Sequence, residues 1–186
     1  MNHRLFIAIN LDEMLKEQLS IILEEFRKEE PSVKWVEARN LHITLKFLGD
    51  TPEEKIIIIK KALKDINFPS FSIKLKDPGC FPNTKEPKIL WLGISEGKND
   101  LLKLNREVEN VMKKQGFSEE NKDFKCHITL GRVKKFKKIY SCEKFLTKIE
   151  GKDFIKQKIE QIELIKSTLY PTGPVYEILE QYSLKK

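Results

Sequence analysis

The segments Leu41-His42-Ile43-Thr44-Leu45 and, eighty-five positions later, Cys126-His127-Ile128-Thr129-Leu130 carry the same four letters, HITL. Side chains alternate between faces in an extended strand, so each copy puts His and Thr on one side and Ile and Leu on the other. Read as two strands, the repeat gives each an apolar backing and a face that offers an imidazole and a hydroxyl to a cleft. The chain has three histidines and seven threonines. Thr two residues after both of these His is roughly a one-in-a-thousand coincidence, before the matching Ile and Leu are counted. One strand histidine alone is more often a hydrogen-bonded or surface residue than a catalyst. The duplicate reverses that weighting.

The rest of the chain alternates strand and helix patterns. Arg4 to Ile9 is a short buried strand, and Asp12 can cap a helix whose Met14, Leu15, Leu19, Ile22, Leu23 and Phe26 recur at helical spacing. Val33 to Val36 and Leu41 to Leu48 read as strands. Thr51-Pro52-Glu53-Glu54 predicts a helix start with Thr51 as N-cap, and Ile56, Ile59, Leu63 and Ile66 give that helix one apolar face. Phe71 to Leu75 and Ile89 to Ile94 are strands, joined by a loop containing Pro78, Gly79, Pro82 and Pro87. A third helix covers about Leu101 to Lys114 with Gly116 suited to its end, and a short one runs from about Ser141 to Ile149. Ile159 to Leu169 and Val175 to Leu184 form a hairpin-like pair around Tyr170 to Pro174. This mixture indicates an α+β class.

Composition bounds the function. A chain of 186 residues, 40% hydrophobic and with eleven Phe, can build one ordinary domain or two small lobes sharing an interface. The net charge of +7 suits acidic ligands such as nucleic acid, and equally a lysine-rich solvated surface. The purely apolar runs, such as Ile56 to Ile59, are too short to span a bilayer, and the N-terminus lacks a signal-peptide stretch; a cytoplasmic location is expected. Three cysteines without pairwise spacing suggest reduced thiols rather than a disulfide framework or a zinc pattern.

Two imidazoles facing one cleft can divide acid and base work, because an unperturbed pKa near about 6.5 lets one be neutral while the other is protonated. Phosphoryl transfer between oxygens needs a base for the attacking hydroxyl and an acid for the leaving oxygen, while Thr44 and Thr129 can bond the non-bridging oxygens. No metal and no cofactor is required. Zinc is the chief rival, but a catalytic site usually has three protein ligands, and no third carboxylate or thiol accompanies the histidines. Cys126 neighbours His127 but points to the opposite strand face, which also discounts it as a nucleophile.

Two H-x-T-x motifs at this separation resemble those of the two-histidine (2H) phosphoesterases. The similarity extends over nearly the whole chain to the RNA 2′,3′-cyclic phosphodiesterase family, whose members have also been called 2′-5′ RNA ligases. It is carried by Arg4-Leu5-Phe6-Ile7-Ala8-Ile9, by Trp35 before Asn40 to Gly49, and by Gly79-Cys80-Phe81-Pro82 and Leu90-Trp91-Leu92-Gly93. It continues with Gly131-Arg132 after the second motif, Ser167-Thr168-Leu169 and Gly173-Pro174-Val175-Tyr176. The resemblance implies a bilobal α+β fold over residues 1–186, one domain of two interleaved, pseudo-symmetric lobes, each an antiparallel sheet flanked by helices, with the active-site cleft between them. It implies that His42 is the proton donor and His127 the proton acceptor when a terminal 2′,3′-cyclic phosphate opens to a 2′-phosphomonoester. The residues by themselves leave the two roles interchangeable.

Phe47 and Arg132, each five residues after its His, are the next positions the resemblance brings to the substrate. Strict alternation turns both away from the cleft. Gly131 permits a bulge that re-aims Arg132 towards phosphate; for Phe47, core packing and stacking on a base stand equally. Cys126 departs from the Pro common before the second His. Trp35 and Trp91 read as core, and the basic run Lys134 to Lys138 either steers RNA or is a solvated loop. Expected partners are RNA or oligoribonucleotide ends and cyclic nucleotides, with no membrane and a monomeric state. Rival readings are a 2′-5′ RNA ligase, a 2′-5′ oligonucleotide phosphodiesterase or U6-type trimming enzyme, and a non-catalytic RNA-binding protein.

Overall fold

The computed structural model describes residues 1–119, 123–134 and 142–185. Strand β1 (Asn2–Asn10) leads into helix α1 (Glu13–Glu29), where Asp12 Oδ1 accepts the Leu15 N–H at 2.8 Å as the N-cap. The buried stripe of α1 is Leu15, Leu19, Ile22, Leu23 and Phe26, whereas Met14, expected with them, is 68% exposed in the first turn. Next come β2 (Val33–Trp35), a 3-10 turn at Ala38–Asn40, β3 (His42–Pro52), α2 (Glu53–Leu63), β4 (Phe71–Phe81), β5 (Ile89–Glu96) and α3 (Lys98–Lys114). The second motif opens β6 (His127–Val133), followed by α4 (Cys142–Ile149), β7 (Lys156–Ile159), β8 (Gln161–Tyr170) and β9 (Gly173–Ser183).

These strands make two antiparallel sheets, ordered β3-β1-β8-β9 and β2-β6-β5-β4-β7. The chain is thus α+β and two-lobed, with one HITL strand in each sheet. A single large core cluster draws on both sheets and all four helices, while Phe6, Ala8 and Ile165 form a small second cluster on the other face of β1. A hydrogen bond ties the sheets together, Gln157 Nε2 on β7 donating to the Asn10 carbonyl of β1 at 2.9 Å; within the first sheet, Asn40 Nδ2 in the turn before β3 donates to the Pro174 carbonyl of β9 at 3.2 Å.

Both motif strands carry a β-bulge at the same place. Along β3, Thr44 pairs with Ala8 and Lys46 with Ile7, so Leu45 is the extra residue; along β6, Thr129 pairs with Trp91 and Gly131 with Leu90, so Leu130 is the extra residue. Beyond each bulge the facing is reversed. Phe47 then opposes Phe6 and Arg132 opposes Ile89, which puts both on the His–Thr face. The carbonyl of each extra leucine finds a donor away from the bulged pairing: buried Asn105 Nδ2 of α3 donates to Leu45 O at 2.7 Å, and the Val36 N–H, in register with the β2–β6 pairing, donates to Leu130 O at 2.8 Å.

Gly131 has a different purpose from the one its bulge-forming capacity suggested, because Lys46 occupies the matching position in β3 and bulges without a glycine. A Cβ on Gly131 would lie 2.7 Å from Val33 Cγ1 and 2.9 Å from Trp35 Cε3, so the missing side chain lets β2 pack closely. Lys46 instead runs into the interior, 1% exposed, and donates to Glu109 at 2.6 Å and to the Ser118 carbonyl at 2.9 Å.

Other expectations need correction. Thr51 is not a cap: it is buried at the end of β3, its hydroxyl faces the Leu48 and Gly49 carbonyls, and α2 starts at Glu53, whose N–H donates to Met1 O. Pro78 and Gly79 lie within β4 rather than in a loop. Pro78 pairs with Leu92 of β5 after a bulge at Asp77 (φ 60°), and the β7 pairing ends at Lys74, so β4 has no second neighbour at Pro78 and a proline is tolerated there. The strand expected from Ile159 divides at Glu160 into β7 and β8. Ser141 and the run Lys135 to Lys138 lie outside the described residues.

The Asn105 bond predicts its own cost. Asn105→Ala should lower unfolding free energy by about 1–3 kcal/mol, the penalty of an unsatisfied buried carbonyl, measured by urea denaturation. A loss within about 0.5 kcal/mol, the range of an ordinary surface change, would mean that the bulge does not need this donor.

Candidate active site

Each motif histidine is held in the same way. His42 Nδ1 donates to the Asn40 carbonyl at 2.7 Å, and His127 Nδ1 donates to the Lys125 carbonyl at 2.6 Å, each two residues back along the chain. A carbonyl can only accept, so the proton of each neutral ring is fixed on Nδ1 and Nε2 carries the free lone pair. The Thr44 hydroxyl lies 3.0 Å from His42 Nε2. Asn40 is buried and tied to Pro174, so the carbonyl that orients His42 is anchored to the β8–β9 hairpin of the same lobe.

Aromatic rings brace both imidazoles. Phe6 lies 5.0 Å from the His42 ring and Tyr176 stands edge-on at 5.4 Å; Phe81 stands edge-on to His127 at 5.1 Å and Trp91 at 6.1 Å. Trp91 is therefore a site residue and not simply core: it is half-buried, opposes Thr129 in the ladder, and its ring fills the space above Gly79, where a Cβ would come within 2.2 Å. Trp35 is core, stacked 4.9 Å from Phe26 with its indole N–H on the Glu30 carbonyl. Phe47 is 58% exposed, which removes the core-packing option; its ring lies 6.2 Å from Phe6 on the motif face. The repeated motif does not by itself mark Phe6, Tyr176, Phe81 or Trp91 as site residues. The alternation that buries Leu5, Ile7 and Ile9 leaves Phe6 on the opposite face, and this signal lies in the sequence.

Burial pushes both imidazole pKa values down, His42 and His127 alike, and the carbonyl bonds at Nδ1 only partly oppose it. The positive charge of Arg132 lowers both further, and His127 lowers His42. Arg132 therefore acts on both histidines, although it follows only one of them. The Tyr176 phenol is raised by burial and pulled back by Arg132 and Arg4. Cys126 is buried, its thiol pushed up to about 11, and it contacts the Lys98 carbonyl. It is a poor nucleophile there. Among the described residues, no group of three or more His, Cys, Asp or Glu side chains is placed to hold a metal ion, and no helix is long and apolar enough to cross a membrane.

The lowered histidine values carry a sign. Unfolded histidines, near about 6.5, bind protons that the folded ones refuse. This contribution to stability is complete above that pH and is lost as pH falls through the folded values. Arg132→Ala should raise the midpoints of both rings, followed by NMR titration of the imidazole protons. If neither midpoint moves, Arg132 does not face the pair.

Comparison with known proteins agrees with the geometry. The family described as LigT like Phosphoesterase matches twice, over residues 9–91 and 92–176, with one motif in each match. The RNA 2′,3′-cyclic phosphodiesterase of Thermotoga maritima is 41% identical, covering 95% of this chain and 92% of that protein. Its counterpart from Archaeoglobus fulgidus is 37% identical over 96% and 99%. Among solved structures, TT0787 of Thermus thermophilus superposes with a TM-score of 0.78 at 28% identity, covering 98% of both chains. E. coli LigT complexed with 3′-AMP gives 0.79 at 25% identity, covering 100% of both. The repeated HITL strands, their matching bulges and these similarities lead to one conclusion: the chain belongs to the LigT-like phosphoesterase family of the 2H superfamily.

Proposed function

We propose that the protein hydrolyses the terminal 2′,3′-cyclic phosphodiester of RNA to a 2′-phosphomonoester, acting as one two-lobed domain with His42 and His127 as a metal-independent acid–base pair. The observation that carries the reading is the paired imidazole geometry. Both rings have Nδ1 on a carbonyl and both feel the charge of Arg132. The relatives named RNA 2′,3′-cyclic phosphodiesterase support the substrate class.

In this mechanism His127 Nε2 takes a proton from water as the water oxygen bonds to phosphorus. The bond from phosphorus to the 3′ oxygen breaks, and protonated His42 delivers a proton from Nε2 to that oxygen. The 2′ bond stays. In the free protein, burial and mutual repulsion keep both rings from holding extra protons together. A bound cyclic phosphate brings the negative charge that favours one imidazolium beside one neutral ring. Arg132 neutralises the non-bridging oxygens and the Thr44 and Thr129 hydroxyls bond them as charge grows. Phe47, exposed beside Phe6, offers a face to the terminal base. The donor and acceptor roles follow the family resemblance.

Product analysis on adenosine 2′,3′-cyclic phosphate is the primary test. In EDTA the wild-type protein should give adenosine 2′-phosphate, and either His42→Ala or His127→Ala should lower kcat by at least about 10²- to 10⁴-fold. Retained turnover in either variant refutes the pair; matched 2′-5′ and 3′-5′ dinucleotides in the same assay expose a different linkage preference. A cyclic substrate with sulfur at the 3′ position has a leaving group that needs no acid. It should restore much of the rate to His42→Ala and none to His127→Ala, and the reverse pattern exchanges the roles.

Phe47→Ala should raise KM about 5- to 100-fold, since stacking on one base is worth about 1–3 kcal/mol, and leave kcat nearly unchanged. An unaltered KM, measured in steady-state assays, removes Phe47 from the substrate.

A further inference from the structure

Spacing along the chain suggests no partner for any of the three cysteines, yet folding brings two together: the Cys80 and Cys142 sulfurs are 2.7 Å apart. Both are thiols in this structure. Their separation is well inside an ordinary non-bonded contact of about 3.5–4 Å. The sulfurs come from elements far apart in sequence, Cys80 from the end of β4 and Cys142 from the first position of α4.

The surroundings divide the two thiols by access. Cys142 is 1% exposed, with Phe145 and Ile149 of the same helix buried beside it, whereas Cys80 is half-buried and packs against the edge of the core. Burial first, and then the bond to Cys80, pushes the Cys142 thiol up to about 12, so Cys142 keeps its proton until a partner accepts it. Cys80 is the sulfur that a reagent reaches first. The third cysteine has a different partner, since Cys126 contacts the Lys98 carbonyl.

We propose that Cys80 and Cys142 are a modification site, a thiol pair that peroxides convert into an intramolecular disulfide. Ionised Cys80 attacks one peroxide oxygen: an S–O bond forms, the O–O bond breaks, and the released oxygen takes up the proton lost by the thiol, leaving as water. Cys142 sulfur then attacks Cys80 sulfur. The S–S bond forms, the S–O bond breaks, and the hydroxide departs as a second water with the proton of Cys142. Two thiols and one hydrogen peroxide give one disulfide and two waters. Phe81, the residue after Cys80, turns its ring to His127, so alternation directs Cys80 to the opposite face of the sheet. The bond fastens α4 to the back of β4 and leaves the cleft open.

The inference is independent of the activity proposed above. The full chain is treated with stoichiometric hydrogen peroxide, unfolded, alkylated and digested without reductant, and the peptides are weighed. The expected result is a linked pair containing Cys80 and Cys142 that lacks two hydrogens, with Cys126 alone alkylated and with all three thiols recovered after reduction. Cys126→Ser should give the same link, and Cys80→Ser no internal link. The proposal is overturned if Cys80 and Cys142 both remain alkylated, if Cys80 carries oxygen without linking, or if Cys126 enters the bond.

Discussion

The site depends on two bulged leucines whose carbonyls must find donors away from the bulged pairing. An extra leucine after each His-x-Thr reverses the facing of the strand, and only that reversal lets Phe47 and Arg132 share a surface with the histidines. A bulge leaves a carbonyl out of the ladder, and a buried carbonyl needs a donor. Asn105 supplies it for Leu45 from α3, and the backbone of Val36 supplies it for Leu130. The geometry of the cleft is thus maintained from behind, by groups that never face it. The two lobes reach the same backbone shape by unlike means, one through a side chain and the other through the chain itself.

Once the strands are shaped, burial governs the electrostatics. Each imidazole is braced by two aromatic rings and oriented by a carbonyl, which fixes the tautomer at little cost in freedom. The same enclosure disfavours the charged forms, and Arg132 adds to the penalty for both. A site with accumulated positive potential and suppressed imidazolium is short of negative charge. A phosphodiester fits this need better than a neutral ligand does, and its arrival changes the protonation of the groups proposed to act on it. In the proposed mechanism, recognition and acid–base readiness are one electrostatic event.

Much of this was legible in residues. The alternation within HITL separates His42 and Thr44 from Ile43 and Leu45, and the structure buries the two apolar residues while leaving His42 and Thr44 half-exposed. Helical spacing identified the buried stripe of α1, and Gly116, at φ 81°, follows the end of α3. The failures have local causes. Thr51-Pro52-Glu53-Glu54 has the letters of a cap, but Met1, just before β1, offers its carbonyl to Glu53 and β3 keeps Thr51. Pro78 and Gly79 look like a loop until the lack of a second neighbour at that point of β4 makes a proline tolerable. Trp91 looks like core because indoles usually are, and only its neighbours, Gly79 and His127, place it at the site.

The sequence by itself determined that two strands would each hold an imidazole and a hydroxyl over an apolar backing, because strand alternation is a local property fixed within a few residues. It also determined the α+β class and, through the flanking segments, the family. Only the tertiary structure decided which residues join the histidines. The leucine bulges depend on donors at Val36 and Asn105, and the approach of Cys80 to Cys142 depends on how α4 lies on β4. Such features are set by partners distant along the chain, whose hydrogen bonds and packing exist only when both sheets have formed.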